Sequence, residues 1–111
     1  MTGDKPLYVL HGEIQTPPMS VAARRECGYL IRRLQADEKL PLPTFRPMPV
    51  IGRRCGELRV VDEDKTWRIV VCVDADAVLV AEVFAKKTQK TSLSVITNCK
   101  ARFKEYDANT Q

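Results

Sequence analysis

Histidine is nearly absent: the 111 residues hold one, His11. Imidazole is the side chain whose ordinary pKa suits acid–base work near neutral pH. His11 stands beside Gly12 at an expected strand end, where a hydrogen-bonded structural role is the commoner one. The four cysteines, Cys27, Cys55, Cys72 and Cys99, are widely spaced. None forms a C-x-x-C pair or neighbours a histidine, so the ligand spacing of a zinc site is missing and no metal is expected. No secretory signal precedes the domain, which sets aside a disulfide framework; the expectation is reduced, buried thiols in a cytoplasmic protein. Gly52 and Gly56 stand isolated, so there is no Gly-rich phosphate loop, and no Ser/His/Asp or Cys/His signature occurs. No apolar run nears the ~20 residues of a membrane span, and there is no repeat or low-complexity tract.

What is present is a positive balance. The formal net charge is +4 and the pI near 9.0, which favours an acidic partner, nucleic acid or acidic protein, over neutral metabolites. Apolar residues make up 44% and charged residues 29%, a composition that folds. The length suits one domain, 1–111, with a modest core.

Along the chain, residues 7–10 read as a short strand, broken by Thr16-Pro17-Pro18. Ser20 suits the N-cap of a helix reaching to about 36, with Ala23, Cys27, Leu30 and Leu34 as its apolar stripe. Residues 40–49 hold Pro41, Pro43, Pro47 and Pro49, so they form neither helix interior nor central strand, and an extended connector is expected. Segments 57–61, 66–73 and 77–84 read as an antiparallel meander with turns at Asp62-Glu63-Asp64-Lys65 and Asp74-Ala75-Asp76. The third is nearly all apolar, as a strand covered on both faces would be. Thr91 or Ser92 caps a last helix to about 106, with Ile96, Cys99, Phe103 and Tyr106 inward. The order β-α-loop-β-β-β-α predicts an α+β domain, a small antiparallel sheet with helices packed on one face.

Chemistry concentrates between Arg59 and Thr91. In strand 66–73, Trp67, Ile69 and Val71 share the core side by alternation, which puts Arg68 on the open face with Val70 and Cys72. Arg68 is then either a ligand for phosphate or a structural arginine paired with a nearby Asp or Glu. Arg59 and Glu57 face out from the preceding strand, as ligands or as solvated edge residues. Lys86, Lys87 and Lys90 follow the last strand and precede a helix N-terminus, where anions are favoured; an ordinary solvated loop is the plainer reading.

At these residues the chain resembles the phage-related, HigB-like branch of the RelE toxin superfamily. The matching pieces are Leu10-His11-Gly12-Glu13-Ile14, Thr16-Pro17-Pro18, Leu34 through Leu42, Arg46-Pro47-Met48-Pro49 and Gly52-Arg53-Arg54-Cys55. They continue with Glu57-Leu58-Arg59, Thr66-Trp67-Arg68-Ile69-Val70, residues 82–91 and Asn98-Cys99-Lys100. The resemblance implies a RelE-like fold and the toxin of a two-gene toxin–antitoxin module, restrained by a helix-turn-helix antitoxin, with which it can form a hetero-oligomer. It implies cleavage of mRNA on the ribosome, without metal or cofactor, by attack of a ribose 2′-OH on the adjacent phosphate. Carried over by position, Arg68 would hold the scissile phosphate in a bidentate fork. Arg59 and Lys87 would join it as catalytic cations, and Lys86, Lys90 and Arg54 would contact the RNA backbone.

Where relatives read Trp-Arg-Ile-Val-Tyr-Arg, this chain has Val71 and Cys72 in the last two places. A histidine common to relatives is replaced by Gly56. One cation is therefore missing from the implied active surface, and losing one can cost roughly 3–4 kcal/mol of transition-state stabilisation. That leaves a second reading open: a weakened or inert relative that binds RNA, ribosome or antitoxin. A phage-borne structural or regulatory domain would leave the basic positions idle.

Overall fold

The computed structural model describes residues 5–10, 19–63, 65–86 and 93–110. His11, the Thr16-Pro17-Pro18 break, Asp64, Lys87, Lys90 and both expected caps, Thr91 and Ser92, lie outside the described residues, as does the side chain of Lys86. The elements are β1 (Leu7–Val9), α1 (Val21–Gln35), β2 (Phe45–Pro47), β3 (Cys55–Asp62), β4 (Lys65–Val73), β5 (Val78–Lys86) and α2 (Leu93–Thr110).

Helix α1 starts as its sequence dictates. The Ser20 side chain accepts the Ala23 N–H at 3.0 Å, satisfying one of the donors a helix start leaves open. Arg32 and Arg33 fill the last turn, where cations meet the negative end of the dipole. Ala23, Leu30, Ile31 and Leu34 are buried, and Cys27 packs beside them half-buried. Asp62 fixes this helix start to the sheet. Its Oδ2 accepts the Ser20 N–H at 2.9 Å and the Trp67 indole N–H at 3.0 Å. The backbone bond from Ser20, then the Ser20 side chain and the Trp67 indole, hold the Asp62 carboxyl below the usual carboxylate range.

The five strands form one open mixed sheet in the order β1-β5-β4-β3-β2. The meander β3-β4-β5 is antiparallel as expected, and β2 extends it antiparallel. The fold is α+β. Three expectations need correction. The sheet is not purely antiparallel, because β1 pairs with β5 in parallel. The proline-rich connector contributes an edge strand, β2, where Pro47 is tolerated because one strand side needs no donor. The helices do not share one face.

Helix α1 covers Leu58, Val60, Trp67, Ile69, Val71, Val78 and Val80. On the other side Val70, Leu79 and Ala81 pack with Cys99 and Phe103 of α2. The reason is in β5: Val78, Leu79, Val80 and Ala81 are all fully buried, and alternation sends them to both faces. A sheet whose central strands are apolar on both sides needs a cover on each, and each fully buried Val, Leu or Ile contributes about 1.5–3 kcal/mol. Among the described residues no helix is long and apolar enough to cross a membrane.

Candidate functional site

The face under α2 carries the charge. Register sets its residues in rows across the strands: Arg46, Glu57, Val70 and Glu82 in one, Arg59, Arg68 and Phe84 in the next. Glu57 is fully buried and Arg68 is 4% exposed. An Arg68 Nη1–H donates to Glu57 Oε1 at 2.5 Å, and Arg59 Nε stands 3.6 Å from the same oxygen. Two guanidiniums directly opposite each other would repel; the Glu57 carboxylate, one row away, offsets this. The pair is thus a triad, with more positive than negative charge.

The two arginines differ in reach. The Arg59 side chain is 21% exposed, that of Arg68 5%. Arg59 Nε has no hydrogen-bond partner among the described residues. Arg59 is therefore the more exposed cation of this row. Two expectations are corrected here. Arg68 does not sit on an open face, because α2 covers that side of the sheet. Glu57 is not a solvated edge residue, because β2 and β4 flank it.

A second ion pair closes the α2 side. The Arg102 guanidinium binds the Glu82 carboxylate and donates to the Ala81 carbonyl at 2.5 Å. Glu82, half-buried in an apolar strand, draws Arg102 toward the sheet, since a partly desolvated carboxylate favours a cation partner.

Arg54 lies elsewhere. It precedes β3, five residues or roughly 16 Å along the chain from Arg59, and rims a separate open cleft of about 850 Å³. Arg53, Lys100 and Lys104 share that rim, Asp74 and Asp107 supply the opposing charge, and Cys55 and Cys72 also line it. All four cysteines are free thiols. Contact with Cys55, then burial, pushes the Cys72 thiol up. Burial first, then the Glu82 charge, pushes the Cys99 thiol up to about 12. Neither is an activated nucleophile.

Lys86 ends β5 opposite Thr66, two positions beyond the Phe84–Arg68 pairing. The fold thus brings Arg59, Arg68 and the end of β5 together and leaves Arg54 at the far end of the sheet. Sequence reasoning passed over Glu57, Glu82 and Arg102 as partners. The available signal was parity, which gives Glu57 and Arg59 one face, and an acidic residue inside the apolar run of β5.

A family model described as phage-derived protein Gp49-like (DUF891) matches residues 18–104. No curated protein and no solved structure matches the chain.

Proposed function

The chain belongs to the phage-derived Gp49-like family, a RelE/toxin-like family, and from that premise we propose that it is the toxin of a type II toxin–antitoxin module, of the HigB-like kind. It acts in the cytoplasm as a single RelE-like domain that cuts mRNA on the ribosome and so inhibits translation. The reaction is attack of a ribose 2′-OH on the adjacent phosphate with expulsion of the 5′-oxygen. The observation that supports it is the Arg59–Glu57–Arg68 triad, two guanidiniums held on the sheet by one carboxylate within the segment the family model matches.

In this reading Arg59 meets the scissile phosphate and stabilises the charge that grows on it, in a site with little water. Arg68 holds Glu57, and Glu57 fixes the angle of Arg59, so both serve orientation. Lys86, with Lys87 and Lys90 after it in sequence, supplies further cations, Lys87 closest in role to catalysis. Arg54 holds RNA backbone at the distal cleft. A helix-turn-helix antitoxin restrains the toxin by covering this basic face with acidic segments, and that complex weakens as salt rises.

A second reading, a weakened or inert relative that binds RNA, ribosome or antitoxin, has its own support. The Arg68 charge is already engaged by Glu57, and Cys72 rather than a cation stands two rows along the same face. The test is inducible expression of the wild type, Arg59→Ala and Arg68→Ala in a bacterial host, following growth and mapping mRNA ends, with soluble folded protein verified for each. Growth arrest with new cuts, lost in Arg59→Ala, supports the nuclease. Normal growth and intact mRNA with folded wild type leaves the binding relative.

A further inference from the structure

Cys55 opens β3, and Cys72 lies directly across from it on β4. The backbone tells which kind of pair this is. Val73 N–H donates to the Arg54 carbonyl at 3.0 Å, so position 54/73 belongs to the bonded rungs of the ladder. Alternation makes the next position, 55/72, a non-hydrogen-bonded pair. In agreement, the Cys55 N–H and carbonyl turn the other way, to the Gly52 carbonyl and the Met48 N–H. At such positions Cα atoms lie ~4.5 Å apart with side chains close together, within the ~4.4–6.8 Å that a disulfide spans. Both side chains leave the same face, both are free thiols, and both line the cleft rimmed by Arg53, Arg54, Lys100 and Lys104.

We propose that Cys55 and Cys72 form an oxidisable dithiol, which a small anionic disulfide such as glutathione disulfide, drawn into the cationic cleft, converts to a reversible cross-strand disulfide. One protein sulfur, as thiolate, attacks a sulfur of the oxidant, forming a mixed disulfide and releasing one glutathione. The second sulfur gives its proton to solvent and displaces the other glutathione. One protein S–S bond forms, two S–H bonds are lost, and the oxidant leaves as two thiols. Contact with Cys55, then burial, raises the Cys72 thiol, so its thiolate is scarce and the exchange is slow. The inference stands independently of the nuclease reading.

The sequence makes the test decisive, because trypsin places the four cysteines on four peptides: 26–32, 55–59, 69–86 and 91–100. The reduced full chain is incubated with glutathione disulfide under native conditions, alkylated, digested without reductant and mapped by mass. The expected result is a link between 55–59 and 69–86, a protein lighter by two hydrogens, and reversal by dithiothreitol. Cys55→Ser and Cys72→Ser each abolish the link and Cys99→Ser keeps it; where a variant does not fold, the wild-type map alone decides. No link, a stable mixed disulfide without closure, or a link to 26–32 or 91–100 overturns the proposal. Closure should run several-fold faster with glutathione disulfide than with uncharged hydroxyethyl disulfide, and this advantage should vanish at high salt; equal rates at low salt overturn the role of the cationic cleft.

Discussion

Glu57 holds Arg68 at 2.5 Å in the floor of the sheet, with both side chains almost wholly out of water. Such a pair is a poor source of net stability but a costly one to break, because removing one partner strands the other charge. Glu57→Ala should lower stability by about 3–5 kcal/mol in urea unfolding. Adding Arg68→Met to Glu57→Ala should recover a good part of that, since no charge then stays buried at the pair. A double variant as unstable as Glu57→Ala alone would mean that the loss lies in packing and not in the stranded guanidinium.

The same pair dictates how activity should be probed. Arg68→Ala leaves a buried carboxylate short of its partner, so lost activity there mixes chemistry with folding. Arg59 is more exposed and bears on Glu57 from 3.6 Å. Arg59→Ala should keep melting behaviour close to wild type and lower mRNA cleavage by roughly a few hundredfold, the scale of one transition-state cation. Wild-type cleavage by a folded Arg59→Ala protein would remove Arg59 from the proposed chemistry.

Periodicity carried much of the fold. The α1 stripe, the β3-β4-β5 meander and the α2 stripe all follow from spacing of apolar residues. The partners of the charged residues did not, because register decides them. Only pairing tells that Arg59 faces Arg68 and that Glu57 lies one row away. The second helix cover was legible in part: a strand apolar on both faces contradicts helices on one face, and Val78 to Ala81 already held that conflict. β2 was hidden because three residues beside prolines give no period, and its existence rests on pairing with β3. Arg54 stood near Cys55 in sequence, yet nothing local says that the strand carries it away from Arg68.

Asp62 makes stability depend on acid. Its folded carboxyl titrates below its ordinary value because Ser20 and Trp67 donate to the charged form. The contribution is present above the unfolded value, about 3.9, and is lost as pH falls through the folded one. Asp62→Asn should therefore unfold at lower urea than wild type near neutral pH, with the gap narrowing as the pH drops below about 4. A gap that stays constant through acid would assign the loss to geometry at the start of α1 instead of to charge.

Gly56 stands where a Cβ would lie 2.2 Å from the Phe45 ring of the neighbouring edge strand. No atom fits at that distance, so any side chain must push the ring off β3. Gly56→Ala should cost about 1–3 kcal/mol, the range for overpacking, read as a lower thermal midpoint. In the Phe45→Ala background the same change should cost distinctly less. Equal costs in both backgrounds would place the strain in the β3 backbone.

Arg54 offers a charge test of RNA binding that is separate from cleavage. It is exposed on a loop at the rim of a cleft with three other cations, so its replacement disturbs no core. If it contacts one phosphate, Arg54→Ala should weaken binding of single-stranded RNA to a similar extent for every sequence. The slope of log affinity against log salt should become shallower by about 0.7, the single-strand value for one released counterion. Fluorescence anisotropy of a short labelled RNA across a salt series measures both. An unchanged slope with unchanged affinity would move the RNA path off this cleft and toward Arg59 and Arg68.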